Sequence, residues 1–476
     1  MDKSKQTLVM KFGGTSVGSS QAMAQAAQIV KDARAEWGRV VVVTSAISGA
    51  TNSLLESASH AARGDLQPLL DAEKSLLKRH EEISAELVSD PALRARVNQE
   101  MAGLIGTFGN LCRAISVLGE ATPRAMDAVA SLGERLSVRL LAAACQSLGV
   151  ASQVVESTEL VITNNAFMNA HPDFGTTTFA TRNRLNPLFE AGIVPIVTGF
   201  IGATPEGVIT TLGRGGSDYS AAILGAVLPA DDVWIWTDVD GVMTADPRMV
   251  KNARTLPEIS YAEIAELAYY GAKVLHPKTV RPVIEAGIGL RICNTFNPSH
   301  PGTRLVANLS AGIPANGEKV IKAVTTIRKQ RLVTVEGRGM LGVPGVAART
   351  FAAVASTGTS VPLITQASSE QSICFAVPSE SADDVLNALS KVFAIELADN
   401  DIDRVWATED VSIITVVGQG TRNTPGVAGQ IFSKLGDIDV NMLAIAHGSS
   451  DVSISMVVES VHDANAVRAL HELIVK

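Results

Sequence analysis

Four short segments draw on lysine, arginine, carboxylates and glycine in patterns suited to charged ligands. Lys11-Phe12-Gly13-Gly14-Thr15-Ser16 follows an apolar run directly. Its adjacent glycines let backbone N–H groups approach a phosphate, with Lys11 as a point charge. G-x-x-x-x-G-K is absent throughout, so this is not a Walker A loop. Taken alone, the segment also describes a tight strand-to-helix turn with an exposed lysine. Gly213-Arg214-Gly215-Gly216-Ser217-Asp218 lies between the strand-like GVITTL and an apolar helix, so its amides and Arg214 face whatever lies outside the strand ends. Ser217 and Asp218 equally suit capping of that helix. VWIWT ends in Thr237-Asp238-Val239-Asp240-Gly241, with Asp246, Pro247 and Arg248 downstream. Position twelve of a loop starting at Asp238 is Met249, not a bidentate glutamate, which removes an EF-hand and leaves a nucleotide edge or ribose contact. Glu134 stands in Ser131-Leu132-Gly133-Glu134, where S-x-x-E fits a capping box and where a carboxylate also suits a substrate ammonium. His276 has no His or Cys partner at metal spacing and is assigned no chemistry.

These segments need a scaffold that ends strands on one side. From Thr7 to about residue 300, the apolar runs LVMKF, RVVVVTSA, SQVVES, GIVPIVTGFI, GVITTL, DVWIWT and LRIC alternate with helical patterns, which predicts a parallel sheet buried on both faces. Between Thr51 and Pro123, Leu, Ile and Val recur at spacings of three and four without strand signals, so a helical insert is expected over about 54–125. Pro, Gly, Asn and Ser concentrate over 297–318, and the first domain, 1–300, is expected to end there.

Composition narrows the classes. The chain of 476 residues has room for two to four domains. Its 46% hydrophobic content excludes extended disorder. A net charge of -8 without a dense basic stretch disfavours nucleic acid. Cys112, Cys145, Cys293 and Cys374 are too scattered for a disulfide or zinc framework, so a reducing cytoplasm is expected. The first apolar run is too short for a signal peptide and no stretch approaches 18 uninterrupted apolar residues, so no membrane association is expected.

Sliding the sequence by 81 positions exposes a repeat: Thr334, Val335, Gly337 and Gly339 match Thr415, Val416, Gly418 and Gly420, and Pro344 to Ala347 match Pro425 to Ala428. Each copy reads as a small α+β module, over 319–398 and 405–476. The second copy stops at a helix, so residues 319–327 are expected to supply its missing last strand from ahead of the first copy. The repeat also disposes of Gly337-Arg338-Gly339-Met340-Leu341-Gly342 as a dinucleotide fingerprint, because the same turn recurs as Gly418-Gln419-Gly420 in a module too small for that fold.

KFGGTSVGSS, TSAISGATN, SLGERLS, TLGRGGSDYSAA, TDVDGVMTADPR and GAKVLHPKT, in this order, resemble the aspartate kinases of the amino acid kinase superfamily that carry two C-terminal ACT domains. The resemblance covers essentially the whole chain. It implies an α/β protein: a three-layer αβα kinase domain with a mostly parallel sheet, then two βαββαβ, ferredoxin-like ACT domains. The implied reaction moves the γ-phosphoryl group of ATP to the side-chain carboxylate of L-aspartate, with Mg2+ held largely by phosphates and water and no protein metal ligand named. A carboxylate nucleophile is already ionised at neutral pH and needs no general base.

Carried over by position, Lys11 and Asp218 are the catalytic pair. Lys11, Phe12, Gly13 and Gly14 meet the transferring phosphate, with Thr15 and Ser16 in the same loop. Thr237, Asp238, Met243, Arg248, Lys273 and Val274 are nucleotide positions, Met243 standing where relatives often carry an aromatic. Ser45, Thr51, Glu134, Arg214, Gly215, Gly216 and Ser217 surround aspartate, Glu134 on its ammonium and Arg214 on its α-carboxylate. The ACT pair implies a homodimer or dimer of dimers inhibited by an amino acid, threonine ahead of lysine, with Gln366 and His447 as effector contacts. Its motifs look closer to the threonine-responsive arm that is often fused to homoserine dehydrogenase, a second enzyme expected to be missing here. The rival readings are another amino acid kinase, acting on glutamate, N-acetylglutamate or a nucleoside monophosphate, and a catalytically dead amino acid sensor.

Overall fold

The computed structural model describes residues 3–271, 275, 277–306, 320–366, 371–421, 423–447 and 452–475. The chain divides into two units: the first holds residues up to Val242 with Thr255–Tyr261 and Val274–Leu309, the second the remainder.

The first unit is built on ten strands: β1 Thr7–Phe12, β2 Arg39–Thr44, β3 Ser152–Val155, β4 Val194–Thr198, β5 Ile201–Ala203, β6 Ile209–Thr211, β7 Asp232–Thr237, β8 Glu258–Ser260, β9 Gly289–Asn294 and β10 Thr303–Val306. Eight of them form one sheet in the order β3-β4-β2-β1-β7-β9-β10-β8. Every pairing is parallel except β9 with β10. All six residues of β1 are buried, as a central strand covered by helices on both faces requires. Leu8, Met10 and Phe12 point into the core shared with helices Ser20–Glu36 and Pro123–Ser147. The alternation sends Val9 and Lys11 to the opposite face, where helix Gly216–Val227 packs. This is the expected αβα layering.

Three expectations need correcting. GVITTL is not a strand of the main sheet: β6 pairs antiparallel with β5 in a separate hairpin. The first domain does not stop at residue 300, because β10 adds a strand beyond it. Nor is that domain continuous, since Met243–Arg254 and Ala262–Lys273 pack with the second unit. There Ala245 and Val250 join a buried cluster with Ile414 and Val416. The Thr244 carbonyl accepts from Val324 N–H at 2.8 Å and its hydroxyl meets His471 Nε2 at 2.8 Å. Fully buried Glu263 pairs with Lys322 at 3.0 Å and accepts the Gln419 N–H at 2.8 Å.

The second unit contains β11 Ala323–Glu336, β12 Leu363–Gln366, β13 Ser372–Pro378, β14 Arg404–Ala407, β15 Val411–Val417, β16 Ala444–Ala446 and β17 Ser453–Glu459. The long strand β11 serves both repeats. Ala323–Ile327 pairs antiparallel with β15, and Gln330–Glu336 pairs with β13. Between the two runs the register shifts, at a point where Lys329 takes a φ of 56°. Strand order is thus β12-β13-β11-β14 in one repeat and β16-β17-β15-β11 in the other. Helices Val346–Ser356 and Ala382–Val392 cover the first repeat, and Val427–Gly436 and Asp463–Val475 the second. A Cβ at Gly337 would lie 2.4 Å from the Asp401 carbonyl, so this glycine admits the chain's own backbone rather than a dinucleotide.

The helical insert of the first unit comprises Ala50–Ala61, Gln67–Leu87 and Pro91–Leu118, leading into Pro123–Ser147. Asp90 caps the third of these through Ala92 N–H, Pro91 opens it and Gly119, with a φ of 73°, closes it. This helix is long and apolar enough to cross a membrane, but Val97, Met101, Leu104, Phe108 and Cys112 form a stripe buried against its neighbours.

His80, in the same lobe, is fully buried. Its Nδ1 lies 2.7 Å from the Leu76 carbonyl, and burial pushes the imidazole down to about 4. As pH falls, the unfolded chain is protonated first, so stability present above about pH 6.5 is lost progressively towards pH 4, by roughly 3 kcal/mol in all. His80→Leu is expected to flatten this limb. Urea midpoints at pH 7 and pH 4.5 check it: the wild type should lose more stability than the variant between the two.

Candidate active site

The site begins where β1, β2 and β7 end side by side. Gly13 N–H donates to the Trp236 carbonyl at 3.0 Å and Ser45 N–H to the Phe12 carbonyl at 3.1 Å, which locks the loops after β1 and β2 to the sheet. Gly14 has no room for a side chain, since a Cβ would stand 2.8 Å from the Ala46 carbonyl. Phe12 offers only its backbone here: its ring stacks on Trp236 in the core. Lys11, on the other face, reaches Asp218 in the first turn of Gly216–Val227, with Nζ to Oδ1 at 2.6 Å. That helix is entered through Gly215, at a φ of 72°, without a side-chain cap. Asp218 therefore does not cap the helix.

Glu134 corrects the capping-box expectation. Pro123–Ser147 is one continuous helix capped by Thr122, so Glu134 sits in its middle, and the Ser131 hydroxyl donates to the Ala128 carbonyl instead. Gly133 lets this helix come close to the β2 loop, as a Cβ would lie 2.8 Å from that of Ala46. Glu134 Oε1 then accepts the Ala46 N–H at 3.2 Å, while Oε2 is buried and has no hydrogen-bond partner among the described residues. Burial pushes the carboxyl up to about 8; the Ala46 N–H and the charge of Lys11 act against this.

A cavity of about 450 Å³ joins these groups. Of the expected residues, Lys11, Ser45, Thr51, Glu134, Arg214, Gly215, Gly216, Ser217 and Asp218 all line it. Met168, Phe200 and Thr211 line it as well and were not anticipated. Met168 and Phe200 both adopt a φ of 68°, an unusual conformation for side-chain-bearing residues that no sequence pattern marks. Thr211 belongs to the misassigned hairpin.

Of the expected nucleotide residues, Thr237, Asp238, Met243 and Arg248 are not among those lining this cavity. Thr237 ends β7 and Asp238 follows it, with Thr237 Oγ1 3.2 Å from Asp238 Oδ1. Met243 and Arg248 belong to the second unit, where the exposed Arg248 forks onto Asp246, Nη2 to Oδ2 at 2.6 Å. Lys273, Val274 and His276 lie outside the described residues. Gln366 ends β12 and His447 follows β16, both exposed and at matching places in the two repeats.

Chemically, the cavity offers a desolvated carboxylate and an arginine, the pair needed for an amino acid's ammonium and carboxylate, beside a lysine and main-chain N–H groups at strand and helix ends, which suit a phosphoryl group.

Comparison with known proteins is consistent with this chemistry. The amino acid kinase family model matches residues 6–294, and the ACT domain model matches 333–393 and 414–473. Bifunctional aspartokinase/homoserine dehydrogenase 2 of Arabidopsis thaliana is 36% identical over 98% of this chain, which spans 51% of that protein. The chain thus covers about half the length of the first bifunctional relatives it matches. The aspartokinase of Schizosaccharomyces pombe is 30% identical, over 99% of this chain and 93% of its own. The crystal structure of E. coli aspartokinase III in complex with lysine and aspartate (T-state) superposes with a TM-score of 0.79 at 30% identity, over 99% of this chain and 100% of that one. The chain belongs to the amino acid kinase family, among the aspartokinases with ACT domains.

Proposed function

We propose that this chain is an aspartate kinase, transferring the γ-phosphoryl group of ATP to the side-chain carboxylate of L-aspartate to give 4-phospho-L-aspartate, the first step towards lysine, threonine and methionine. The observation that carries this reading is the single cavity in which Glu134, with a spare buried oxygen, and Arg214 share space with the Lys11–Asp218 pair. Glu134 holds the ammonium and Arg214 the α-carboxylate, and Ser45, Thr51, Gly215, Gly216 and Ser217 complete the wall. The side-chain carboxylate is left towards Lys11. That carboxylate attacks phosphorus, the bond to the β–γ bridging oxygen breaks, and ADP leaves. Lys11 with the Gly14 amide balances charge on the transferring group, Gly13 holds the loop through its bond to Trp236, and Asp218 orients Lys11. Phe12 contributes its backbone, and Thr237 and Asp238 are assigned to the nucleotide.

Mg2+ is assigned to the phosphate oxygens of ATP and water, with no protein ligand named. When bound, the ion neutralises triphosphate charge.

The repeats act as ACT sensors in a homodimer or dimer of dimers, with a threonine effector favoured over lysine and Gln366 and His447 as contacts; the E. coli structure was solved with lysine. The kinase domain is assigned to 1–300 extended by β10, with ACT regions at 319–398 and 405–476. Four free cysteines suit a cytoplasmic location. The test is ATP-dependent acyl-phosphate formation from L-aspartate, trapped as the hydroxamate, with threonine or lysine added. Turnover suppressed by one of them is expected; no product from aspartate, with product from glutamate or N-acetylglutamate, would replace the substrate.

A further inference from the structure

Asp127 is a fully buried carboxylate that the chemistry above leaves unused. It lies seven residues before Glu134 on the same continuous helix, two turns away on the same face. Burial raises its carboxyl and hydrogen bonds oppose that rise. The Thr211 hydroxyl donates to Oδ1 at 2.6 Å and the Thr211 N–H to Oδ2 at 3.0 Å. The Met168 N–H reaches both oxygens, at 3.1 and 3.0 Å. Both residues held by Asp127 line the cavity.

The tie continues towards Arg214. Ala170 N–H donates to the Thr211 carbonyl at 2.9 Å, so the 164–172 loop and β6 are joined on both sides of Thr211. A Cβ on Gly213 would stand 3.2 Å from the Met168 carbonyl and 3.0 Å from Asn169 Oδ1, which places this loop directly against the turn bearing Arg214. Met168 sits at a φ of 68°, a conformation that costs free energy unless neighbours over-determine it. One carboxylate therefore connects the helix of Glu134, the wall residue Met168 and the strand that leads to Arg214.

We propose that Asp127 is a positioning residue for amino acid recognition: by fixing Met168 and Thr211 it sets the wall of the cavity and the placement of Arg214 relative to Glu134. This rests on the aspartate kinase reading of the same cavity. Asp127→Ala removes all the acceptors. Asp127→Asn keeps one oxygen for the two N–H groups and turns its Nδ2 to the Thr211 hydroxyl, which can accept.

The experiment measures KM for aspartate and for ATP, kcat, and amide hydrogen exchange over 164–172 and 209–213, in wild type and both variants. Asp127→Ala is expected to raise the aspartate KM by about ten- to a hundredfold with the ATP KM unchanged, as a displacement of about 1 Å does. Asp127→Asn is expected to restore most of the difference. Exchange at the Met168 and Thr211 amides should quicken in Asp127→Ala while β1 stays protected.

Parallel changes in both KM values, or an aspartate KM within about twofold of wild type, would overturn the proposal. Exchange reports on it separately: if the wild type does not phosphorylate aspartate at all, the substrate reading fails, and unchanged exchange at Met168 and Thr211 would then sink the positioning role too. Quickened exchange in that case supports the role for whichever amino acid the wild type does phosphorylate.

Discussion

Lys11→Ala is expected to lower kcat by about a thousandfold while the variant stays folded. Two effects add. The first is the loss of a preorganised cation beside the transferring phosphoryl group, in a position only 8% exposed, where charge is poorly screened. The second is the release of Asp218, whose carboxylate lies 2.6 Å from Nζ and would then face an incoming triphosphate unpaired. Removing both charges in Lys11→Ala/Asp218→Asn should cost less than the sum of the single changes, since the two side chains act as one unit. Single-turnover assays at saturating aspartate and ATP isolate the chemical step, and thermal denaturation checks that the buried β1 has survived. A Lys11→Ala enzyme within about tenfold of wild type would remove Lys11 from the transfer step.

Much of this site was legible because its chemistry is written in contiguous segments. Of KFGG, SLGE and GRGGSD, each readable as one contiguous motif, KFGG ends a strand of the parallel sheet, while SLGE lies inside a helix and GRGGSD follows the β5–β6 hairpin. The repeat was legible for a similar reason: an offset of 81 residues needs no knowledge of the fold, and the two ACT matches, at 333–393 and 414–473, begin 81 residues apart. What stayed hidden is non-local. Three-residue strands such as β5 and β6 carry too few residues to show which sheet they join. Ser131 and Glu134 imitate a helix start inside a helix whose real signals, Thr122 and Pro123, stand earlier. Met243–Arg254 reads as a loop of the first unit, yet Ala245 and Val250 are buried in the second. Asp127 resembles any helix-surface acid until the fold brings the Met168 and Thr211 N–H groups to it.

Glu134 carries the second large effect, and it is a pH effect. The carboxyl sits at about 8 in the free site because burial outweighs the Ala46 N–H and the charge of Lys11, with Arg214 and Asp218 as the other charged groups lining the cavity. An ammonium ligand needs the ionised form, so binding aspartate expels a proton wherever the pH lies below about 8. The apparent aspartate KM should then be roughly a hundredfold above its limiting value at pH 6, roughly tenfold above it at pH 7, and level beyond pH 8.

The linkage has a second face. A carboxyl raised from 4.5 to about 8 contributes stability to the unliganded fold that is complete below pH 4.5 and lost as pH rises through 8. Aspartate should therefore raise the melting temperature more at pH 8 than at pH 6. Glu134→Gln keeps the shape and the acceptor for Ala46 but cannot ionise. Its aspartate KM is expected to be about a hundredfold above wild type at pH 8.5 and nearly flat across this range, with the ATP KM little changed. Titration calorimetry in two buffers of different ionisation enthalpy checks the mechanism directly. The wild type should release close to one proton per aspartate bound at pH 7 and the variant none; release by both would place the titrating group elsewhere in the cavity.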